Sequence, residues 1–245
     1  LIEKFLYPKY GPGQLWEFVA KELEENTSVT IHMNSKLTGI TVDAETNNAE
    51  VEYCCYDGNL KHLNCDFIVS TMPISHLVEC LRINSLDKKL SASTVDSAKK
   101  LPYRDFLTVG VLLRNFHGPN GEELDDTWLY VQEPNVKVGR IQIFNNWSPY
   151  MVENEEHKWV GLEYFCQEGD QLWSMSKNQL IEMALYELSE LGLCSKNDFL
   201  KGTVLKEEKT YPAYFDSYSD IYNIKEELIQ IIPLFLIGRN GMHKY

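Results

Sequence analysis

The stretch Tyr7-Pro8-Lys9-Tyr10-Gly11-Pro12-Gly13-Gln14, continuing at once into Leu15-Trp16-Glu17-Phe18-Val19-Ala20-Lys21-Glu22-Leu23, reads as a loop that feeds a helix. Pro8 and Pro12 fix φ and push the residues before them toward extended conformations, while Gly11 and Gly13 permit a sharp turn and close approach of another group. From Gln14 onward the apolar positions Leu15, Phe18, Val19 and Leu23 recur at helical spacing. The free backbone N–H groups at such a helix start can face an anion or a polar ring edge.

Around that stretch the chain has 245 residues, 44% of them hydrophobic, enough for a sizeable core in one large domain or two small ones. Its formal charge of −13 disfavours nucleic acid or an anionic membrane surface as the main partner. No apolar run approaches the roughly 20 residues that span a bilayer, and Leu1 to Phe5 do not read as a signal peptide, so a cytoplasmic protein is expected. The six cysteines show no C-x-x-C pair and read as reduced thiols, with at most one of the neighbours Cys54 and Cys55 in the core. The scattered histidines suggest no metal site.

Strands are expected at Val29 to Met33 and Lys36 to Val42, then at Ala49 to Tyr56 and Leu60 to Leu63 joined by the hairpin signal Asp57-Gly58. The run Cys65 to Thr71 reads as a buried central strand, and Ile74 to Leu81 as a short helix. The stretch from Asn84 to Lys100 is polar and partly helical, with Lys88, Lys89, Lys99 and Lys100 solvated. Four further strands follow at Phe106 to Leu113, Thr127 to Gln132, Gly139 to Phe144 and Trp159 to Phe165. With no helices between them, they favour antiparallel pairing. An apolar stripe of Leu180, Ile181, Ala184, Leu185 and Leu188 predicts a helix from Ser176 to Leu191, stopped by Gly192. A strand at Phe199 to Glu208, an irregular stretch at Tyr211 to Phe215, a helix from Ile221 to Ile231 and a strand at Leu234 to Gly238 complete the chain.

No G-x-S-x-G, P-loop or G-x-G-x-x-G motif is present. What remains is a set of loops and strand ends rich in Tyr, Trp and Arg. Arginine forks suit phosphate or carboxylate, and tyrosines offer a stacking face with a hydroxyl. Arg104, Arg140, Trp147, Tyr7 and Tyr211 are the substrate-site candidates, although a Trp such as Trp147 is more often a core residue.

The N-terminal loop and helix, the strand bearing Leu37 and Ile40, the hairpin, and then Asp66-Phe67-Ile68-Val69-Ser70-Thr71-Met72-Pro73 resemble the middle of flavoproteins of the amine oxidase and protoporphyrinogen oxidase superfamily. Leu101-Pro102-Tyr103-Arg104, Tyr211-Pro212 and Gly238-Arg239-Asn240-Gly241-Met242-His243-Lys244-Tyr245 most resemble UDP-galactopyranose mutase-like members. The resemblance implies an α+β fold, a largely antiparallel sheet with packed helices. Such a fold serves as the substrate-binding domain of a two-domain, FAD-linked reductase-type flavoprotein. It divides the chain into a segment 1–73 adjoining the FAD domain, a substrate domain 74–233, and a segment 234–245 returning to the FAD domain.

By the same resemblance Leu37 approaches the adenine, Thr71, Met72 and Pro73 line the return to the flavin, Gly238 and Arg239 come near its ribityl and phosphate portion, and Gly11, Pro12 and Gly13 cover the isoalloxazine. The family's N-terminal Rossmann-type glycine turn has no counterpart here, so the resemblance implies an internal fragment that does not retain FAD alone and is inactive by itself. The implied reaction is an FAD-dependent oxidation, as in amine oxidases, or a sugar-nucleotide rearrangement, with the flavin carrying the chemistry and an amine or nucleotide sugar as substrate. Two further classes of reading stay open: a non-catalytic sugar- or nucleotide-binding module, and a structural interaction domain. Converging arginines would favour a diphosphate, whereas an uncharged, aromatic-walled cavity would favour an amine or another apolar substrate.

Overall fold

The computed structural model describes residues 5–43, 45–84, 89–231 and 233–245. In chain order the elements begin with α1 (Pro12–Asn26), β1 (Lys36–Asp43), β2 (Asn48–Cys54), β3 (Leu60–Cys65), β4 (Ile68–Ser70), α2 (Ile74–Cys80), β5 (Leu81–Asn84) and α3 (Ala92–Lys99). Next come β6 (Tyr103–Leu113), β7 (Trp128–Tyr130), β8 (Arg140–Ile143), α4 (Phe144–Trp147), β9 (Lys158–Cys166), α5 (Gln171–Ser174) and α6 (Lys177–Glu190). The last are β10 (Phe199–Pro212), α7 (Ile221–Ile229), β11 (Leu234–Leu236) and α8 (Gly238–Gly241). This is an α+β fold with a largely antiparallel sheet and packed helices.

The chain divides into two compact units, residues 1–31 with 105–208, and residues 32–104 with 209–245. In the first, a five-stranded sheet of order β10-β6-β9-β8-β7 presents one face to α6. Alternation decides that face: Leu107, Val109, Val111 and Leu113 of β6 pack with Ile141, Ile143, Val160 and Leu162 and with the α6 stripe Leu180, Ile181, Ala184, Leu185 and Leu188. The start of α6 is a complete capping box between Ser176 and Gln179, and Gly192 at φ +71° ends it in the left-handed turn that glycine alone adopts without strain.

In the second unit a four-stranded sheet, β3-β2-β1-β5, covers a core of Ile40, Val42, Ile74, Leu77, Ile224 and Leu228. A separate two-stranded parallel sheet joins β11 to β4. The hairpin at Asp57-Gly58 forms as expected, with Gly58 at φ +81° and the Asp57 carboxylate accepting from the Asn59 N–H at 3.0 Å.

Several elements differ from the sequence reading. Val29 to Met33 is not a strand: both edges of β1 are already occupied by β2 and β5, and Val29 and Met33 lie exposed beside a turn at Asn34, φ +52°. Cys65 to Thr71 is not one buried strand, because β3 ends at Cys65 and only Ile68–Ser70 pairs again, on one side, leaving Phe67 and Val69 exposed. Leu81 leaves the short helix to begin β5, parallel to β1, which the alternating Leu81-Arg82-Ile83-Asn84 permits. Tyr211 and Pro212 extend β10 instead of breaking it, and Gly238 opens α8 instead of ending a strand. Phe144 begins α4 rather than ending β8. Cys54 and Cys55 are both half-buried, and all six thiols are unpaired with one another. Lys88 lies outside the described residues.

The helix α1 forms with Pro12 in its first turn, as the sequence predicts, yet none of its residues is buried and Leu15, Trp16 and Phe18 stand exposed. Among the described residues no helix is long and apolar enough to cross a membrane, and no cluster of His, Cys, Asp or Glu could hold a metal ion.

Candidate functional site

The face of the first unit's sheet turned away from α6 carries its chemistry. On that face Thr108 and Gly110 of β6 stand opposite Glu163 and Gly161 of β9, and β8 sets Arg140 opposite Glu163 and Gln142 opposite Gly161. Glu163 is 3% exposed at its side chain; it pairs with the Arg140 Nε and accepts from the Gln142 amide as well. A carboxylate this deeply buried persists only with such charge-assisted partners. The Arg140 guanidinium also lies 5.3 Å from the Trp128 ring centre.

Trp128 meets Trp147 edge-on at 5.3 Å, and Trp147 stacks on Tyr7 at 5.0 Å, so three of the sequence candidates (Arg140, Trp147 and Tyr7) come together through a residue the sequence reading passed over. The Trp147 Nε1 is buried without a hydrogen-bond partner. The N-terminal loop is strapped to this segment. The Ser148 hydroxyl donates to the Lys9 carbonyl at 2.6 Å, the Tyr7 hydroxyl donates to the Met151 sulfur at 3.6 Å, and the Lys9 ammonium sits 3.9 Å from the Tyr150 ring centre. Gly11 is buried, at φ +87°, and a Cβ there would stand 3.2 Å from the Met151 methyl. That conformation and that closeness both call for glycine. Pro12 and Gly13 form the exposed beginning of α1.

Met151 in turn lines an open cavity of about 230 Å³, together with Thr108, Gly110, Phe144, Trp159, Thr203 and Leu205. Its lining is apolar and aromatic except for two threonine hydroxyls, and no charged side chain contributes to it among the described residues.

The remaining candidates lie in the second unit. Arg104 is exposed near the start of β6, and Leu37 is half-buried on β1 beside a bulge, opposite Tyr53. Thr71, Met72 and Pro73 carry the chain from β4 into α2, and Gly238 comes against them: its missing Cβ would lie 3.7 Å from the Thr71 methyl. The Ile237 N–H donates to the Ser70 carbonyl at 3.0 Å, and a Cβ on Gly241 would fall 2.5 Å from the same oxygen, so glycine is required there. Arg239 reaches over Tyr211 at 4.8 Å and Tyr245 at 5.5 Å. The structure thus groups Thr71, Met72, Pro73 and Gly238, and separately Tyr211 with Arg239.

Sequence reasoning missed His243. It is buried, its Nε2 donates to the Ala213 carbonyl at 3.2 Å, its Nδ1 has no partner, and its ring meets the edge of Tyr103 at 4.7 Å. Burial pushes the Tyr103 phenol up to about 12. Burial, aided by the nearby Lys225 charge, holds the His243 imidazole below its ordinary 6.5, against an opposing contribution from the Ala213 hydrogen bond. The imidazole is therefore neutral in folded and unfolded chains above pH 6.5; below it, the unfolded chain takes up the proton first and stability falls. Denaturation midpoints at pH 7.5 and 5.5 should drop for the natural chain and stay nearly level for His243→Asn. Equal drops would remove His243 as the cause.

Residues 5–213 match the family described as flavin containing amine oxidoreductase. No curated protein sequence matches the chain. Among solved structures, reduced UDP-galactopyranose mutase aligns with a TM-score of 0.74 at 20% identity, covering 98% of this chain and 47% of that one. A protein from Exiguobacterium sp. 255-15, provisionally described as a protoporphyrinogen oxidase, aligns with a TM-score of 0.68 at 17% identity, covering 99% and 50%. The chain spans about half the length of these structures, and at such identities the likeness is one of fold. With most of its length matched in order by the family, the chain belongs to the flavin-containing amine oxidoreductases.

Proposed function

We propose that this chain is the substrate-side portion of an FAD-dependent oxidoreductase whose substrate presents an apolar group to the sheet of the first unit. The observation that carries this reading is the uncharged cavity walled by Phe144, Trp159 and Met151, on a sheet whose Arg140 is paired with Glu163. A nucleotide diphosphate needs cationic forks turned toward it, and Arg140 is committed to a buried carboxylate. An oxidase-type substrate therefore fits this face better than a nucleotide sugar.

The residues expected near FAD suit a large anionic cofactor in one respect. Thr71, Gly238 and Arg239 are all exposed, and Gly238 lies against the Thr71 side chain, so a guanidinium stands beside an open glycine turn. The apolar side chains left open on and beside the two-stranded sheet, Phe67, Val69, Phe235 and Ile237, support a further domain covering it. FAD, when bound, supplies the hydride acceptor. The chain's own part is to hold the substrate's apolar end in the cavity and exclude water around it with Phe144, Trp159 and Met151.

The test uses the product of the complete gene, loaded with FAD under anaerobic conditions. Benzylamine and phenethylamine should bleach the visible flavin absorbance, and UDP-galactopyranose should neither bleach it nor compete. Tight binding of the nucleotide sugar, with no bleaching by any aromatic amine, would contradict the oxidase assignment and put the mutase-type reaction in its place.

A further inference from the structure

The cavity wall includes Gly110 on β6, and across the strand pair Gly161 on β9 lies under the Phe144 ring that lines the cavity. Neither position has room to spare. A Cβ at Gly161 would stand 3.0 Å from two carbons of the Phe144 ring, and one at Gly110 would stand 3.1 Å from the Thr203 methyl and 3.5 Å from the Trp159 ring. The Phe144 ring thus rests directly on bare backbone, and Trp159 and Thr203 close in on the neighbouring glycine. The cavity's volume of about 230 Å³ compares with the roughly 150 Å³ apolar cavity that holds a benzene molecule, and falls short of the roughly 300–1,000 Å³ of pockets for whole drug-sized ligands.

We infer that this cavity is a specificity pocket for one uncharged six-membered or fused ring carrying at most a short substituent, that Gly110 leaves room for it, and that Gly161 lets the Phe144 wall sit close on the sheet. The inference rests on the functional reading above and narrows its substrate class to molecules with a terminal ring. Two features make the ring the fitting shape. Two aromatic rings, Phe144 and Trp159, and the Met151 sulfur side chain line it, groups that gain most from another flat, polarisable group. Thr108 and Thr203 are the lining residues with polar side-chain atoms, too few to solvate a charge.

Thr203 and Leu205 are exposed on β10, so changing them leaves the core intact. The purified chain is titrated calorimetrically with toluene, indole and uridine diphosphate, and each variant is checked by its thermal melt. Toluene and indole should bind saturably, Thr203→Phe should weaken both by about tenfold or more, and uridine diphosphate should not displace either. A second variant, Gly110→Ala with Thr203→Ser, removes the methyl that the new Cβ would meet, and should weaken indole by several-fold more than toluene. Absent ring binding, unchanged affinity in Thr203→Phe, or equal loss of both probes in the double variant would each overturn the pocket. None of these readouts involves flavin: ring binding in a protein whose complete gene product carries no FAD would sink the enzymatic reading and leave the pocket standing, and the reverse pattern would do the opposite.

Discussion

Arg140→Ala is expected to destabilise the chain by about 3 kcal/mol, measured by urea denaturation. The loss comes less from the missing attraction than from what is left behind. Glu163, 3% exposed at its side chain, would be left in the sheet with only the Gln142 amide in place of a full cation. The Arg140 side chain is itself 20% exposed, which lets some water reach the gap and places the effect at the lower end of the range for broken buried pairs. The double variant Arg140→Ala with Glu163→Gln should regain about half of the loss or more, because the stranded charge is then gone. A loss under about 1 kcal/mol in the single variant would mean that Glu163 is not held by Arg140.

Glu187→Ala should destabilise the chain by about 3–5 kcal/mol, for a different reason. Glu187 is 4% exposed on α6 and its carboxylate gathers three donors, the Lys137 N–H at 2.8 Å and the buried Val138 N–H at 3.1 Å and Tyr164 hydroxyl at 3.0 Å. It therefore ties the loop before β8 to the helix that covers the sheet. Burial first, and the Glu187 charge second, hold the Tyr164 phenol well above its ordinary range, so this hydroxyl remains a donor at any working pH. Glu187→Gln keeps an acceptor and should lose about 1–2 kcal/mol, while exposed Glu182→Ala serves as the neutral control. Similar urea midpoints for Glu187→Ala and Glu182→Ala would refute the network's weight.

Both predictions turn on residues that the sequence alone does not single out. Glu163 and Glu187 look like two of many surface acids; what buries them is a cross-strand partner 23 residues away in one case and a loop 49 and 50 residues away in the other. Periodicity reveals which face of α6 is apolar because that signal is local, and all five residues of its stripe are buried. It reveals α1 in the same way, but whether an apolar stripe is covered depends on what else the chain brings to it, and in α1 nothing is buried. Strand length and pairing were harder to read. β5 and the end of β10 look irregular in isolation, and pairing partners far along the chain make them strands. Of the site candidates, Tyr7, Arg140 and Trp147 were legible as unusual residue types. Their convergence through Trp128 spans 140 positions and could not be seen. His243 lies inside the C-terminal stretch that carries the resemblance, but its burial depends on Tyr103 and Ala213, distant in sequence, and nothing local marks it.

In the proposed reaction a flavin oxidises a substrate whose apolar end sits in the cavity of the first unit. The most direct test is the visible absorbance spectrum of the complete gene product, purified without added cofactor. A flavin spectrum that fades anaerobically with an aromatic amine, and that fades far more slowly in the Thr203→Phe variant, is the predicted result. A folded protein with no flavin that also refuses added FAD would contradict the account.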